Sequence, residues 1–246
     1  MTTFVLVHGA FFGGWVWKPV AARLEALGHR AFRPTLTGCG ERDHLGGPAV
    51  DLKTHVQDIV ALLEMEELED VILVGHSYAG MVVAGVAQQA HARLRGLVHL
   101  DALLPEHGES TLDHASGEMF DHARALAVER GDGWRIPCFL PLDSLCPEGH
   151  DLRPWMAAQL RGMTLNAVAQ KLDLPRDLSH LPMLFVYCKA EALGLFEKSR
   201  DRAARRPNTE LVELDTQHAL MLTRPQEVAD LLLSFSERAA GIRGRA

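Results

Sequence analysis

The eight residues Val74-Gly75-His76-Ser77-Tyr78-Ala79-Gly80-Met81 constrain this chain more than any others. Ahead of them runs the apolar Val71-Ile72-Leu73, and behind them a stretch of small residues at helical spacing continues to Ala90. A strand that turns at once into a helix brings the two backbones nearly into contact, so small residues must flank the turn. A serine at its apex has its Oγ lifted clear of the sheet. Gly75 and Gly80 meet that demand, while Ala79 adds a methyl where the G-x-S-x-G pattern has a second glycine. The N-terminus of the helix beneath Ser77 favours developing negative charge. Ser77 therefore reads as a nucleophile on a strand–turn–helix unit.

The rest of the chain supplies more such units. Strands are expected at Phe4 to His8, Arg30 to Pro34, Asp70 to His76, Gly96 to Asp101, Met183 to Cys188 and Glu210 to Leu214. Helices are expected at Val16 to Leu27, Leu52 to Glu64, Tyr78 to Ala90, near Phe196 to Arg206, and at Pro225 to Ala239. Strands separated by helix-length segments imply a mostly parallel α/β sheet with helices on both faces. In such sheets ligands gather at the carboxyl ends of the strands. The segment between Asp101 and Pro182 breaks the alternation. It holds Met119, Phe120, Trp134, Phe139, Trp155, Met156 and Met163 among polar turns, with helices expected near Gly117 to Arg130 and Pro154 to Met163. Residues 1–104 and 182–246 are thus expected to form the core, and 105–181 a lid that supplies an apolar substrate pocket.

Composition excludes several classes of function. Of 246 residues, 47% are hydrophobic and 23% charged, an ordinary globular balance, and a net charge of −7 without long basic runs argues against nucleic acid. No apolar run approaches the length of a membrane span. Met1-Thr2-Thr3 leads directly into strand-like sequence without the pattern of an export signal, so a cytoplasmic protein is expected. Cys39, Cys138, Cys146 and Cys188 show no CxxC spacing and are expected as free thiols.

A serine hydroxyl is a poor nucleophile without an adjacent base, usually histidine. His218 follows the last strand in Asp215-Thr216-Gln217-His218, shortly before the final helix. The other twelve histidines are expected mainly on surfaces and helices, with no metal-ligand spacing among them, and His76 is expected to point into the fold. The loop His8-Gly9-Ala10-Phe11-Phe12-Gly13-Gly14 after the first strand would bring backbone N–H groups close to the serine. Acyl transfer builds charge on a carbonyl oxygen, and two fixed N–H donors stabilise it. Ala10 and Tyr78 are the candidates for this oxyanion hole.

HGAFFGGWVW, GHSYAGM and TQHALM, in that order, resemble the α/β-hydrolase superfamily, most nearly the plant methyl-ester esterases and hydroxynitrile lyases and their bacterial relatives. The resemblance implies an α/β-hydrolase fold with an inserted helical lid, a Ser-His-acid triad and no metal or organic cofactor. The lyases of that branch carry threonine after the first histidine and lysine after the catalytic histidine. Here those positions are Gly9 and Ala219, which favours an esterase. In the plant branch the acid follows the strand after the lid, where this chain has Glu191. Asp101 is the competitor, at the end of the strand beside the nucleophile strand, where some haloalkane dehalogenases place theirs. An unpartnered carboxylate there would be costly to bury. Asp101 is the first choice and Glu191 the alternative.

The expected partner is a small to medium apolar or aromatic ester or lactone, with a homodimer left open. Two other readings stand beside it. One is a lyase or cofactor-free oxygenase of the same fold that uses His218 as a base. The other is a ligand-binding protein of slow turnover.

Overall fold

The structure is a computed structural model that describes residues 1–190 and 193–243. Strands β1 (Thr3–Val7), β2 (Arg30–Phe32), β3 (Val71–Ser77) and β4 (Leu94–Ala102) precede the long insertion. They alternate with helices α1 (Lys18–Ala26), α2 (Leu52–Met65) and α3 (Ala79–Ala90). The insertion carries α4 (Gly117–Arg130), β5 (Arg135–Ile136), α5 (Leu142–Leu145), α6 (Arg153–Gln159), β6 (Met163–Thr164) and α7 (Leu165–Ala169). The chain returns through β7 (Met183–Cys188), α8 (Glu197–Arg205), β8 (Thr209–Leu214), α9 (Leu220–Thr223) and α10 (Pro225–Arg243).

Six strands form a parallel sheet in the order β2-β1-β3-β4-β7-β8, while β5 and β6 make a small antiparallel pair outside it. The strands feed two cores because side chains alternate across a pleat. Phe4, Leu6, Ile72, Val74, Leu184 and Val186 pack on one side with α1 and α10. Val5, Val7, Val71, Leu73, Met183 and Phe185 pack on the other with α2, α3 and part of the insertion. Sheets covered on both faces read as nearly continuous apolar runs, as β3 does with all seven residues buried.

Among the expected elements, α1, β2 and the helix near Pro154 are cut short. Gly14–Trp17 form a 3₁₀ turn, and α1 begins only at Lys18. Pro19 in its first turn has no N–H to bond backwards, so an α-helix starting at Val16 is blocked. The edge strand β2 stops at Phe32, before Pro34, which could not donate to the ladder. The helix expected to reach Met163 ends at Gln159. Beyond it the Arg161 N–H donates to the Phe11 carbonyl (3.0 Å), which ties the insertion to the first loop, and Met163 joins β6.

Candidate active site

The serine turn is built from close backbone contacts. Ser77 has φ +56°, in the left-handed region, and lies between the last residue pairs of β3 and the start of α3. A Cβ on Gly80 would stand 1.8 Å from the Leu103 carbonyl oxygen, so only glycine lets α3 pass the end of β4. A Cβ on Gly9 would stand 2.6 Å from the Ser77 Cβ and 2.8 Å from His76 Nδ1. Absence of a side chain at Gly9 therefore clears the space beside the serine. Ala79 is fully buried, and its methyl is accommodated in the core packed against α2 and α3.

Asp101 reaches His218 through an irregularity in the ladder. His76 pairs with Leu100 and Ser77 with Ala102, so Asp101 is the extra residue of a bulge, with φ +45°. A bulge re-aims the side chain it carries. The Asp101 carboxylate is completely buried and accepts from the Cys188 N–H at 3.0 Å through Oδ1. Its Oδ2 lies 2.6 Å from His218 Nδ1. That bond places the His218 proton on Nδ1 and leaves Nε2 as the basic nitrogen. Nε2 is buried with no hydrogen-bond partner among the described residues, and the imidazole is stacked on Phe196 with centroids 5.0 Å apart. The insertion also holds the His218 loop, since the His218 and Ala219 N–H groups donate to Ser144 and Leu145 carbonyls at 3.0 and 2.9 Å. Glu191, the alternative acid, lies outside the described residues.

Most of the other twelve histidines lie at the surface or on helices, as expected, but a buried minority pins the loops around the site. His8 Nδ1–H donates to the Gly9 carbonyl at 2.8 Å, while its Nε2 accepts from the Leu36 N–H at 3.0 Å. His55 Nε2–H donates to the Thr37 carbonyl and its Nδ1 accepts from the Tyr78 hydroxyl, each at 2.9 Å. His76 donates from Nε2 to the His218 carbonyl at 3.0 Å, and its ring lies 4.3 Å from the His218 ring. His99 donates from Nδ1 to the Leu103 carbonyl at 3.0 Å. Burial lowers the pKa of His8 and of His99 to about 4. Burial, reinforced by the neighbouring His218, holds His76 well below its ordinary value. Neutral imidazoles can thus satisfy buried backbone groups without stranding a charge. Apolar neighbours in Leu6-Val7-His8, Val74-Gly75-His76 and Leu97-Val98-His99 were the signal available in the sequence.

Ser77, Ala10 and Tyr78 stand on the wall of an apolar cavity, whose other lining residues include Leu112, Met119, Phe120, Phe139, Leu140 and Phe196. Neither the Ala10 nor the Tyr78 N–H is engaged by a turn or loop carbonyl among the described residues. The four cysteines are unbridged, and burial pushes the Cys39 thiol up to about 12, which keeps it protonated. Among the described residues no cluster of His, Cys, Asp and Glu converges as metal ligands, and no helix is long and apolar enough to cross a membrane.

The family model for the alpha/beta hydrolase family matches residues 4–231. The chain belongs to this family. The hydrolase is 36% identical over 248 residues to a carbendazim-hydrolysing esterase of Nocardioides sp. (strain SG-4G), covering 96% of this chain and 100% of that relative. It is 26% identical to esterase PIR7B of Oryza sativa subsp. japonica, covering 96% of each chain. Among solved structures the hydrolase resembles an extracellular α/β-hydrolase from a Paenibacillus species, with a TM-score of 0.82 and 24% identity over 95% of this chain and 98% of that one. A pyrethroid hydrolase from Sphingobium faniae JZ-2 gives a TM-score of 0.75 and 22% identity over 98% and 99% of the two chains.

Proposed function

We propose that the protein is a serine esterase acting on small to medium apolar or aromatic carboxylic esters or lactones, with Ser77 as nucleophile, His218 as base and Asp101 as the acid that orients it. The observations that carry the reading are the buried Asp101–His218 pair at 2.6 Å and a left-handed Ser77 that lines an apolar cavity. The identity to named esterases supports the reaction class.

In this mechanism His218 Nε2 takes the proton of Ser77 as Oγ attacks the ester carbonyl. Asp101, bonded to Nδ1–H, steadies the imidazolium that forms. The Ala10 and Tyr78 N–H groups receive the oxyanion. Collapse of the tetrahedral adduct expels the alcohol, which takes its proton from Nε2. Water then enters, gives its proton to Nε2 and attacks the acyl-enzyme. The acid leaves, and Ser77 regains its proton. The space cleared at Gly9 favours this sequence over the lyase arrangement, because a threonine there would drive its Cβ against Ser77.

Hydrolysis of a short-chain aryl ester by the wild type and Ser77→Ala tests the reading. The expected loss in kcat is about 10⁶-fold, the scale found when such a triad loses its nucleophile. Near-wild-type turnover in the variant would instead favour chemistry with His218 as the principal base, and tight binding without turnover in either protein a ligand-binding role.

A further inference from the structure

The donor proposed on the serine turn belongs to the peptide between Ser77 and Tyr78. One end of that peptide is held by the main chain, since the Ser77 carbonyl accepts from the Leu103 N–H at 3.1 Å. The other end carries the buried Tyr78 side chain, whose hydroxyl is bonded to His55 Nδ1 at 2.9 Å. His55 is fully buried on α2, and its ring meets the Tyr78 ring edge-on with centroids 5.8 Å apart. Its second partner fixes its tautomer. The Thr37 carbonyl, 2.9 Å from Nε2, can only accept, so Nε2 carries the proton and Nδ1 accepts from the phenol. Burial lowers the His55 pKa and keeps the imidazole neutral. Thr37 is tied back to α2 in turn, because its N–H and hydroxyl donate to Asp58 at 2.7 and 2.8 Å. The chain of bonds Tyr78–His55–Thr37–Asp58 thus starts at the serine turn and closes on one helix.

The same stretch serves the other proposed donor. Leu36 gives its N–H to His8 Nε2 at 3.0 Å, and His8 Nδ1–H donates to the Gly9 carbonyl, directly before Ala10. Leu36 and Thr37 therefore join the two segments that would hold the oxyanion. Such donors act only when both stand about 2.7–3.1 Å from the place where the charge develops. We infer that His55 is a positioning residue of the oxyanion hole, which acts through the Tyr78 hydroxyl to fix the Tyr78 N–H at its working distance from the Ala10 N–H. This role rests on the esterase reading. His55 does not line the cavity, so its influence on the reaction passes through Tyr78. The charge appears only in the transition state, so a loosened donor lowers kcat and leaves binding of the uncharged substrate as it was.

The test measures hydrolysis of 4-nitrophenyl butyrate by the wild type, Tyr78→Phe, His55→Leu, His55→Asn and the double variant Tyr78→Phe/His55→Leu. Inhibition by two ketones is measured beside it. 1,1,1-Trifluoro-4-phenyl-2-butanone forms an anionic adduct with an active serine, whereas 4-phenyl-2-butanone binds without one. Tyr78→Phe and His55→Leu should each lower kcat roughly tenfold and weaken the fluoroketone by a similar factor. Inhibition by the plain ketone should stay within about twofold. The double variant should be no worse than either single one, since phenol and imidazole act as a unit. His55→Asn keeps an acceptor near the Nδ1 position and should recover most of kcat. A merely structural histidine would move both ketones together. Should His55→Leu fail to fold, Tyr78→Phe, which loses a single oxygen atom, carries the test alone. Unchanged kcat in Tyr78→Phe, or equal weakening of both ketones, would overturn the role, while Ser77-dependent hydrolysis would leave the esterase reading intact. A wild type that neither hydrolyses the ester nor forms the fluoroketone adduct would instead sink the esterase reading, and the role with it.

Discussion

A carboxylate with no solvent contact has to distribute its charge among the donors that face it. Asp101 does so through one oxygen on the Cys188 N–H and the other on His218 Nδ1. With the acid role proposed for it, Asp101→Asn should reduce kcat by about 10⁴-fold, because an amide can present its N–H to the imidazole and reverse the tautomer. Glu191→Gln, measured alongside, should leave kcat within a fewfold of wild type; a larger loss there would transfer the acid role. Gly9→Thr should cost at least about 10²-fold in kcat, since its Cβ would fall 2.6 Å from that of Ser77. Steady-state kinetics on folded variant would check this. Ser77 and His218 were legible because their chemistry is tied to local patterns. The candidate acids could only be ranked, Asp101 ahead of Glu191, because what brings Asp101 to His218 is a one-residue shift in the β3–β4 register, which depends on pairing between strands.

Among elements, the alternation of strands and helices was readable wherever apolar runs met glycine or proline. The corrected ends of α1 and β2 were set by Pro19 and Pro34, single residues whose effect on hydrogen bonding overrides the surrounding periodicity. The β5–β6 pair escaped, since each partner is only two residues long and its pairing is non-local. The contact between α3 and the end of β4 leaves no room at all. Gly80→Ala would force the Leu103 carbonyl aside, with an expected loss of about 3 kcal/mol in stability, measured by urea unfolding. An unchanged midpoint would mean that the two elements separate more easily than their packing suggests.

For the molecule as a whole, the buried histidines make stability depend on acidity. His8, His99 and His114 have pKa values lowered to about 4, each mainly by burial, and the unfolded chain protonates them near 6.5. Between those limits the unfolded state binds more protons, so stability is fully present above about pH 6.5 and falls as pH drops toward 4. Each such histidine contributes about 1.4 kcal/mol per pH unit within that window. Urea unfolding of Ser77→Ala at pH 7.5 and 5.0 should therefore show a loss of several kcal/mol at the lower pH. Equal stability at both would mean that these imidazoles are hydrated or charged in the folded state. The insertion tightens the same interior from outside, through the carbonyls of Ser144 and Leu145 that receive the His218 and Ala219 N–H groups. For protein engineering this makes 105–181 a poor interchangeable cassette. A chimera that imports another enzyme's whole insertion, to acquire its substrate range, also discards the struts beneath the His218 loop. Leaving 141–146 with the host and exchanging only the flanking segments would respect the boundary that the hydrogen bonds draw, which is different from the one drawn by chain order.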